Sequence, residues 1–398
     1  MENEVDNILY NKAQINHYKD VLSIFNLFIL PIVAMKNQKS YISIFLSHIF
    51  IVLTGISCSS EDNNGGKVIS DFYDEYIIRK EKEIIDLMNG YGQNGDSFVF
   101  ITDTHWESNR GYSPSLIKHI LENTGITKVF HGGDIIHGSY QDNTSYALDF
   151  MNKMSFTTLF PVFGNHEQFI KVENNLDGTI YPTSNNEIYS IFFKHLENTV
   201  DIGGRFYYYL DNESQKIRYF FMDSHWPEEP DIRGMYLNYS EQLSWLEQKC
   251  SEIGHEWSIV VLQHIVFSGT VFSDESEPNE EPKVESVGKS VLGKQLISKL
   301  DELYDIPNMP QIIAVISGHT HYTYHEYSKK GYPIIASTDD GTWGYKKIDG
   351  KWVDVNFSIY RPDDSVNAQS FDVYTIDKAN KTIHATRIGY GKNRRFTF

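Results

Sequence analysis

The sequence predicts an α/β protein, and three observations carry that prediction. Short apolar runs at residues 97–102, 128–131 and 158–163 alternate with segments of helical spacing. The residues that close these runs, Asp103, Asp134 and Asn165, stand 31 positions apart in both intervals. That is the length of one strand–helix–strand unit with a right-handed crossover. The runs also end in carboxylate, imidazole or amide side chains, so parallel neighbours would deliver those groups to one edge of the sheet.

Before the first of these runs the chain has a different character. Residues 1–34 contain an apolar stretch, 21–34, interrupted by Pro31. Two accounts of it stand: an over-long upstream extension with Met35 the first residue, or one arm of a membrane hairpin. Residues 35–57 place Lys36 and Lys39 before an apolar stretch, 41–53, and then Thr54-Gly55-Ile56-Ser57 before Cys58. The order resembles a bacterial lipoprotein signal peptide. That resemblance implies a lipidated Cys58 anchoring the chain to the outer membrane, surface-exposed in the cell envelope, with 58–67 as a flexible tether. Gly55 departs from the aliphatic residue usual three places before such a cysteine. A plain membrane anchor is the alternative, although the run is short for a spanning helix.

From residue 68 the elements follow in order. Residues 68–88 carry Ile69, Phe72, Tyr76, Ile77, Ile84, Ile85 and Met88 at helical spacing, and Gly90 suits a C-cap. The catalytic core is expected over 97–340. Within it, 115–122 and 146–154 are helical, and 206–210 and 216–222 read as antiparallel strands joined through Asp211-Asn212-Glu213. An amphipathic helix at 239–250 presents Leu243, Trp245 and Leu246, and a buried strand at 257–262 ends at Gln263-His264. The acidic stretch 273–290 is an exposed loop, read either as a lid or as a solvated surface. A helix at 291–303 leads to a strand at 311–317 that closes on Gly318-His319. Segments 333–337, 352–359, 371–376 and 382–388 then alternate as an antiparallel sheet, 341–398 completing the architecture. No repeat or second-domain boundary follows residue 97.

The chain of 398 residues carries a net charge of −18. Acids and bases balance over residues 1–57, so the whole excess lies on the remainder. An acidic surface without a basic stripe argues against long nucleic acids as partners. A phosphate ester would need local positive charge, which bound metals could supply. The two cysteines make no disulfide framework, Cys250 reading as a small core residue within a helix.

The chemistry gathers in five motifs: Asp103-Thr104-His105, Gly133-Asp134, Gly164-Asn165-His166-Glu167, His264, and Gly318-His319-Thr320-His321. A single strand-end histidine is by default a hydrogen-bonded core or surface residue. Five such motifs in succession, mixing hard oxygen with borderline nitrogen donors, suit a pair of divalent transition metals. A phosphodiester resists attack because it is anionic, and two ions about 3.5–4 Å apart clamp its oxygens while a shared water loses its proton to give a bridging hydroxide. One carboxylate must bridge the ions, for which Asp134 on the central strand is the candidate, and an imidazole is needed to protonate the leaving group.

In their order and residue types these motifs resemble those of the calcineurin-like metallophosphoesterase superfamily, over roughly residues 97–340. The resemblance implies a four-layer sandwich of two mixed β-sheets flanked by helices. It also implies that Asp103, His105 and His321 hold one metal and Asn165, His264 and His319 the other, with Asp134 between them and His166 the proton donor. The metals would be two divalent ions such as Mn, Fe or Zn, and the substrate a small phosphate mono- or diester. Gln242-Leu243-Ser244-Trp245-Leu246 resembles the helix that precedes the fourth motif in many members. Purple acid phosphatases lack a histidine at the place of His105 and carry a tyrosine ligand after the second motif, where this chain has Ile135-Ile136-His137. The arginines that protein Ser/Thr phosphatases place beside the second and third motifs are replaced by His137-Gly138 and Phe163. His131, His137, His225 and His325 also lie near motifs as candidates to touch phosphate or brace a ligand. The alternative function is a surface lipoprotein that binds a ligand on the same scaffold without turnover; no protein partner is evident.

Overall fold

The computed structural model describes the chain from Asp71 to Phe398, apart from residues 107–111, 139–141, 171–172, 175–179, 182, 204–205, 225–238, 273–283, 338, 342, 349–350, 357–360 and 362–364. The leader and tether expected over residues 1–67 lie outside that range, as do His225 and most of the acidic loop. Among the described residues no helix is long and apolar enough to cross a membrane.

Helix α1 (Asp71–Tyr91) leads into β1 (Gly95–Ile101), then α2 (Ser113–Thr124), β2 (Val129–His131), α3 (Thr144–Lys153) and β3 (Leu159–Pro161). Helix α2 starts on Pro114 and stops at Gly125, whose left-handed φ of 77° lets its N–H reach the carbonyl of Leu121. The two crossovers place β1, β2 and β3 side by side and parallel, as the 31-residue spacing requires.

A second sheet is built from β4 (Asp201–Ile202), β5 (Tyr208–Asn212), β6 (Ile217–Met222), β7 (Ser258–Gln263), β8 (Gln311–Ser317), β9 (Tyr324–Tyr327) and β10 (Pro333–Ala336), in the order β9-β10-β8-β7-β6-β5-β4. Its four central strands run parallel and its edges antiparallel. Helices α4 (Asn185–Phe192), α5 (Tyr239–Ser251) and α6 (Val291–Tyr304) complete the set, α4 starting on a capping box of Ser184 and Glu187. Strands β11 (Ser370–Asp377), β12 (Thr382–Gly389) and β13 (Arg394–Thr397) return to the first sheet, whose order is β13-β12-β11-β1-β2-β3.

The antiparallel sheet expected from residues 333–388 is not one sheet. β10 lies parallel to β8 in the second sheet, Lys351–Asn356 pairs with Trp343–Ile348 as a separate hairpin, and β11 and β12 join β1. Alternating apolar residues announce a strand but not its partner, which is chosen by the face left uncovered elsewhere. Likewise Val284–Lys289, at the end of the expected acidic loop, is a strand paired with Phe267–Phe272.

Both faces of each sheet's centre are covered, so the strands are apolar throughout. Along β6, Ile217, Tyr219 and Phe221 face the first sheet, whereas Phe220 and Met222 face α5 and α6 with Leu246, Cys250, Leu296 and Leu300. Strand β7 repeats the division, Val260 and Leu262 inward, Ile259 and Val261 toward the helices. Between the sheets, Phe98 and Phe130 meet Tyr219 and Phe221 edge-on, at centroid distances of 5.0 to 5.5 Å. Each such ring pair adds roughly 0.5–1.5 kcal/mol beyond the area it buries. Helix α1 covers β1, β11 and β12 from outside. The result is a four-layer sandwich of two mixed sheets flanked by helices. At the end where β1 begins, the buried carboxylate of Asp96 accepts from Lys128 (2.8 Å), Asn212 (2.7 Å) and Tyr219 (2.6 Å), fastening the two sheets away from the motif residues.

Candidate metal centre

Five parallel strands from two sheets end at one place. β1 is followed by Asp103 and His105, β2 by Asp134, β3 by Asn165 and His166, β7 by His264, and β8 by His319 and His321. Asp103, His105, Asp134 and His264 are fully buried, and Asn165, His166, His319 and His321 half-buried.

The backbone is unusual there. Of the nine non-glycine residues with positive φ among the described residues, five are Asp103 (50°), His105 (43°), Asp134 (54°), His319 (69°) and His321 (59°). Such conformations cost about 1–3 kcal/mol each and persist only where the surroundings enforce them. The glycines of the motifs have a steric reason. A side chain at Gly133 would come within 2.7 Å of Nδ1 of His264, and one at Gly318 within 2.0 Å of the Thr102 hydroxyl and 2.4 Å of the Asp103 carboxylate.

Donor atoms collect in three groups among the described residues: two share Asp134, and the third joins His105 to His137 and His166. Asp103, His105, Asp134 and His321 each offer one ligand atom within 4.8 Å of the others, as do Asp134, His264 and His319. In the first group Nε2 of His321 lies 3.2 Å from Nε2 of His105 and 3.4 Å from Oδ1 of Asp103. In the second, the amide oxygen of Asn165 lies 3.2 Å from Nε2 of His264 and 3.1 Å from Nδ1 of His319. Oδ2 of Asp134 is buried without a hydrogen bond of normal geometry, 3.2 Å from Nε2 of His264 and 3.8 Å from Nε2 of His166.

The supporting bonds fix these orientations. Nδ1 of His264 is 2.7 Å from the carbonyl of Gly132, which can only accept, so the other ring nitrogen turns toward Asp134 and Asn165. The backbone N–H of His319 and the Thr102 hydroxyl both donate to the Asp103 carboxylate, and the N–H of His166 donates to Oδ1 of Asp134. His131 is a brace, its Nδ1 accepting from the N–H of Gly133 and its Nε2 donating to Thr104 at 2.6 Å. His137 stacks on His166 at 5.3 Å, and its carbonyl faces Nδ1 of His166. His325 stands apart on β9, against Tyr327 and Phe396.

The electrostatics suit cations. Burial pushes the pKa of His319 and of His131 down to about 3, and lowers that of His105 well below the usual imidazole range. Burial also raises the pKa of Asp103 and lifts that of Asp339 to about 7. Against its burial, the imidazoles of His264 and His166 hold Asp134 ionised. Burial works against charge on His264 too, yet Asp134, Asp103 and Glu167 raise its pKa to about 9. The buried carboxylates, the neutral imidazoles of His105 and His319 and the amide oxygen of Asn165 offer lone pairs in excess of the positive charge on His264. The residues present therefore fit a pair of divalent cations.

The parts played by two further residues are not visible in the sequence. Glu167, the last residue of its motif, accepts from the backbone N–H groups of Asp134 (3.1 Å), Ile135 (2.6 Å) and Gly164 (2.7 Å), fastening the second motif to the third. Its three-residue distance from Gly164 is visible in the sequence, but its reach across to Asp134 is not. Asp339, buried, places Oδ2 3.8 Å from Nδ1 of His321, and nothing in the sequence ties it to that histidine.

The fold and these clusters define an α/β sandwich with a candidate two-metal site at the strand ends. The sequence model of the calcineurin-like phosphoesterase family matches residues 97–323, more than half of the chain, and the chain belongs to that family. Among solved structures it is similar to a dimetal phosphatase from Danio rerio, with 12% identity, a TM-score of 0.49, and coverage of 76% of this chain and 99% of that one. It is also similar to Vacuolar Protein Sorting 29 from Cryptosporidium parvum, with 12% identity, a TM-score of 0.27 and the same coverages, 76% and 99%. No curated protein matches the chain.

Proposed function

We propose that the chain is a hydrolase of small phosphate mono- or diesters that works with two divalent ions. Asp103, His105 and His321 would hold one ion, Asn165, His264 and His319 the other, and Asp134 would contact both. The observation that carries this reading is the membership of Asp134 in two ligand groups at once. When bound, such ions supply Lewis-acid chemistry, neutralising phosphate oxygens and lowering the pKa of water.

The chain's own groups divide the remaining work. His166 is the proton donor to the departing alkoxide. The His137 carbonyl faces its Nδ1, which leaves Nε2 directed to the site, 3.8 Å from Asp134. His166 and His137 are half-buried, as are the ligands Asn165, His319 and His321, so these residues form the side of the site nearest solvent. The net charge of −18 favours a small substrate over a long polyanion.

The test is turnover of bis-p-nitrophenyl phosphate and p-nitrophenyl phosphate by the full-length protein with Mn²⁺. Hydrolysis of either that is abolished by chelation supports the proposal, and the ratio of the two rates separates diesterase from monoesterase. Bound metal without turnover of any phosphate ester would leave a ligand-binding protein on a hydrolase scaffold.

A further inference from the structure

Beyond the strand ends, a loop that lies outside the family match comes back to the site. Residues 339–341 follow β10 by only a few positions, and the match ends at residue 323. The loop is fastened to the first motif through its backbone: the N–H of Asp340 donates to the Thr102 carbonyl at 2.9 Å, and that of Gly341 to the Asp103 carbonyl at 3.1 Å. Arg361, buried, donates to the carbonyls of Asp339 (3.0 Å), Asp340 (2.8 Å) and Gly341, so one guanidinium holds three successive peptide units. The carboxylate of Asp340 takes the Ser113 hydroxyl at 2.6 Å and the N–H of Ser370 at 3.0 Å. A guanidinium removed from water this completely is costly unless its donors are used. Here they are spent on carbonyls of the loop and on that of Asn367 (3.1 Å), with Nη1 also 3.5 Å from Oδ1 of Asp339.

The outcome of that clamp is the placement of one side chain. Asp339 projects a buried carboxylate 3.8 Å from Nδ1 of His321, while Nε2 of the same ring faces His105 and Asp103 on its other side. At 3.8 Å this is a charge contact longer than a hydrogen bond, and the field of the carboxylate favours the proton on Nδ1, which leaves the lone pair of Nε2 for the cation. Partners of this kind are worth about 10–100-fold in metal affinity when they act on a ligand histidine.

We infer that Asp339 is a positioning residue for the ion held by Asp103, His105 and His321, with Arg361 and the 339–341 loop as the clamp that aims it. This rests on the two-ion reading above, and it assigns the clamp to one ion and not the other. His264 takes its orientation from the Gly132 carbonyl instead.

The experiment is a titration of metal-stripped, full-length protein with Mn²⁺, followed by the paramagnetic resonance signal of free Mn²⁺, for the wild type and Asp339→Asn. The wild type is expected to take up two ions. The variant is expected to bind one as before and the other about 10–100-fold more weakly. Equal affinities in variant and wild type would overturn the inference and leave the hydrolase standing. Equal weakening of both ions, the mark of general loosening, would overturn it too. A wild type that takes up no Mn²⁺ would remove the two-ion reading and the inference with it. Should asparagine at 339 prevent folding, the metal-free wild type decides alone through the imidazole ¹⁵N shifts of His321, assigned by their loss in His321→Gln. A proton on Nδ1 is expected, and a proton on Nε2 alone would overturn the assignment.

Discussion

Asp134 sits in left-handed backbone at φ 54°, held by Glu167 through its own N–H and that of Ile135, and its carboxylate serves both donor groups. Removing that charge should therefore act on both ions, whereas removing one imidazole should act on one. Asp134→Asn is expected to purify with neither ion and His264→Ala with one; elemental analysis of the two variants is the check, and retention of both ions by Asp134→Asn would contradict a shared role. His166 lies outside the two groups that share Asp134 and belongs to the third, with His105 and His137. His166→Ala should keep its metal while turnover falls by about 10²–10⁴, most steeply for esters with poor leaving groups. Loss of metal from that variant would show that the residue is a ligand and not the donor. Glu167→Gln replaces one acceptor by a donor facing backbone N–H groups. It should cost about 1–3 kcal/mol in denaturant unfolding.

At the scale of elements, the first sheet's last three strands are joined by charge. Asp372 on β11 accepts from Arg387 on β12 (Nε, 2.8 Å), Arg394 on β13 (2.8 Å) and Ser337, just after β10 (2.8 Å), so one carboxylate ties both sheets together. Burial works to raise its pKa, but Arg387 and then Arg394 override it and hold the carboxyl below the usual range. With the folded value depressed, the stabilisation is complete above the unfolded value of about 3.9 and is lost as pH falls from there through the folded value. Asp372→Asn should thus cost about 3–5 kcal/mol near pH 7, since it leaves the buried guanidinium of Arg387 and the half-buried one of Arg394 without their anion. The deficit should shrink in strong acid. Urea unfolding of both proteins at pH 7 and pH 3 tests the sign, and an equal deficit at the two pH values would refute it.

For the whole molecule, the site is where two sheets are drawn together by opposed demands. Phe98, Phe130, Tyr219 and Phe221 pack them through apolar contact, while Asp103, Asp134, Glu167 and Asp339 bring four acids into the same interior. Cations that bind the folded chain alone relieve that crowding. Saturation at about a hundred times Kd is worth about 2.7 kcal/mol per site. Thermal unfolding with Mn²⁺ should therefore occur at a higher temperature than with chelator, and an unchanged midpoint would mean that the buried acids are satisfied by protein groups alone.

What the sequence determined by itself was the parallel unit and the side chains gathered at its strand ends. The strand–helix–strand spacing and the residues closing each strand are local facts, and a parallel sheet turns them into a shared edge. The convergence of Asp103, His105, Asp134, Asn165, His264, His319 and His321 was legible for that reason, because each follows the end of a strand. Tertiary structure alone decided which sheet received β10, β11 and β12, and that Asp339, Arg361 and Glu167 lie against the motif residues. Those choices depend on which apolar face and which backbone N–H or carbonyl remain unsatisfied once the rest has packed. No pattern along the chain encodes that, because the partners are distant residues brought together only by the fold.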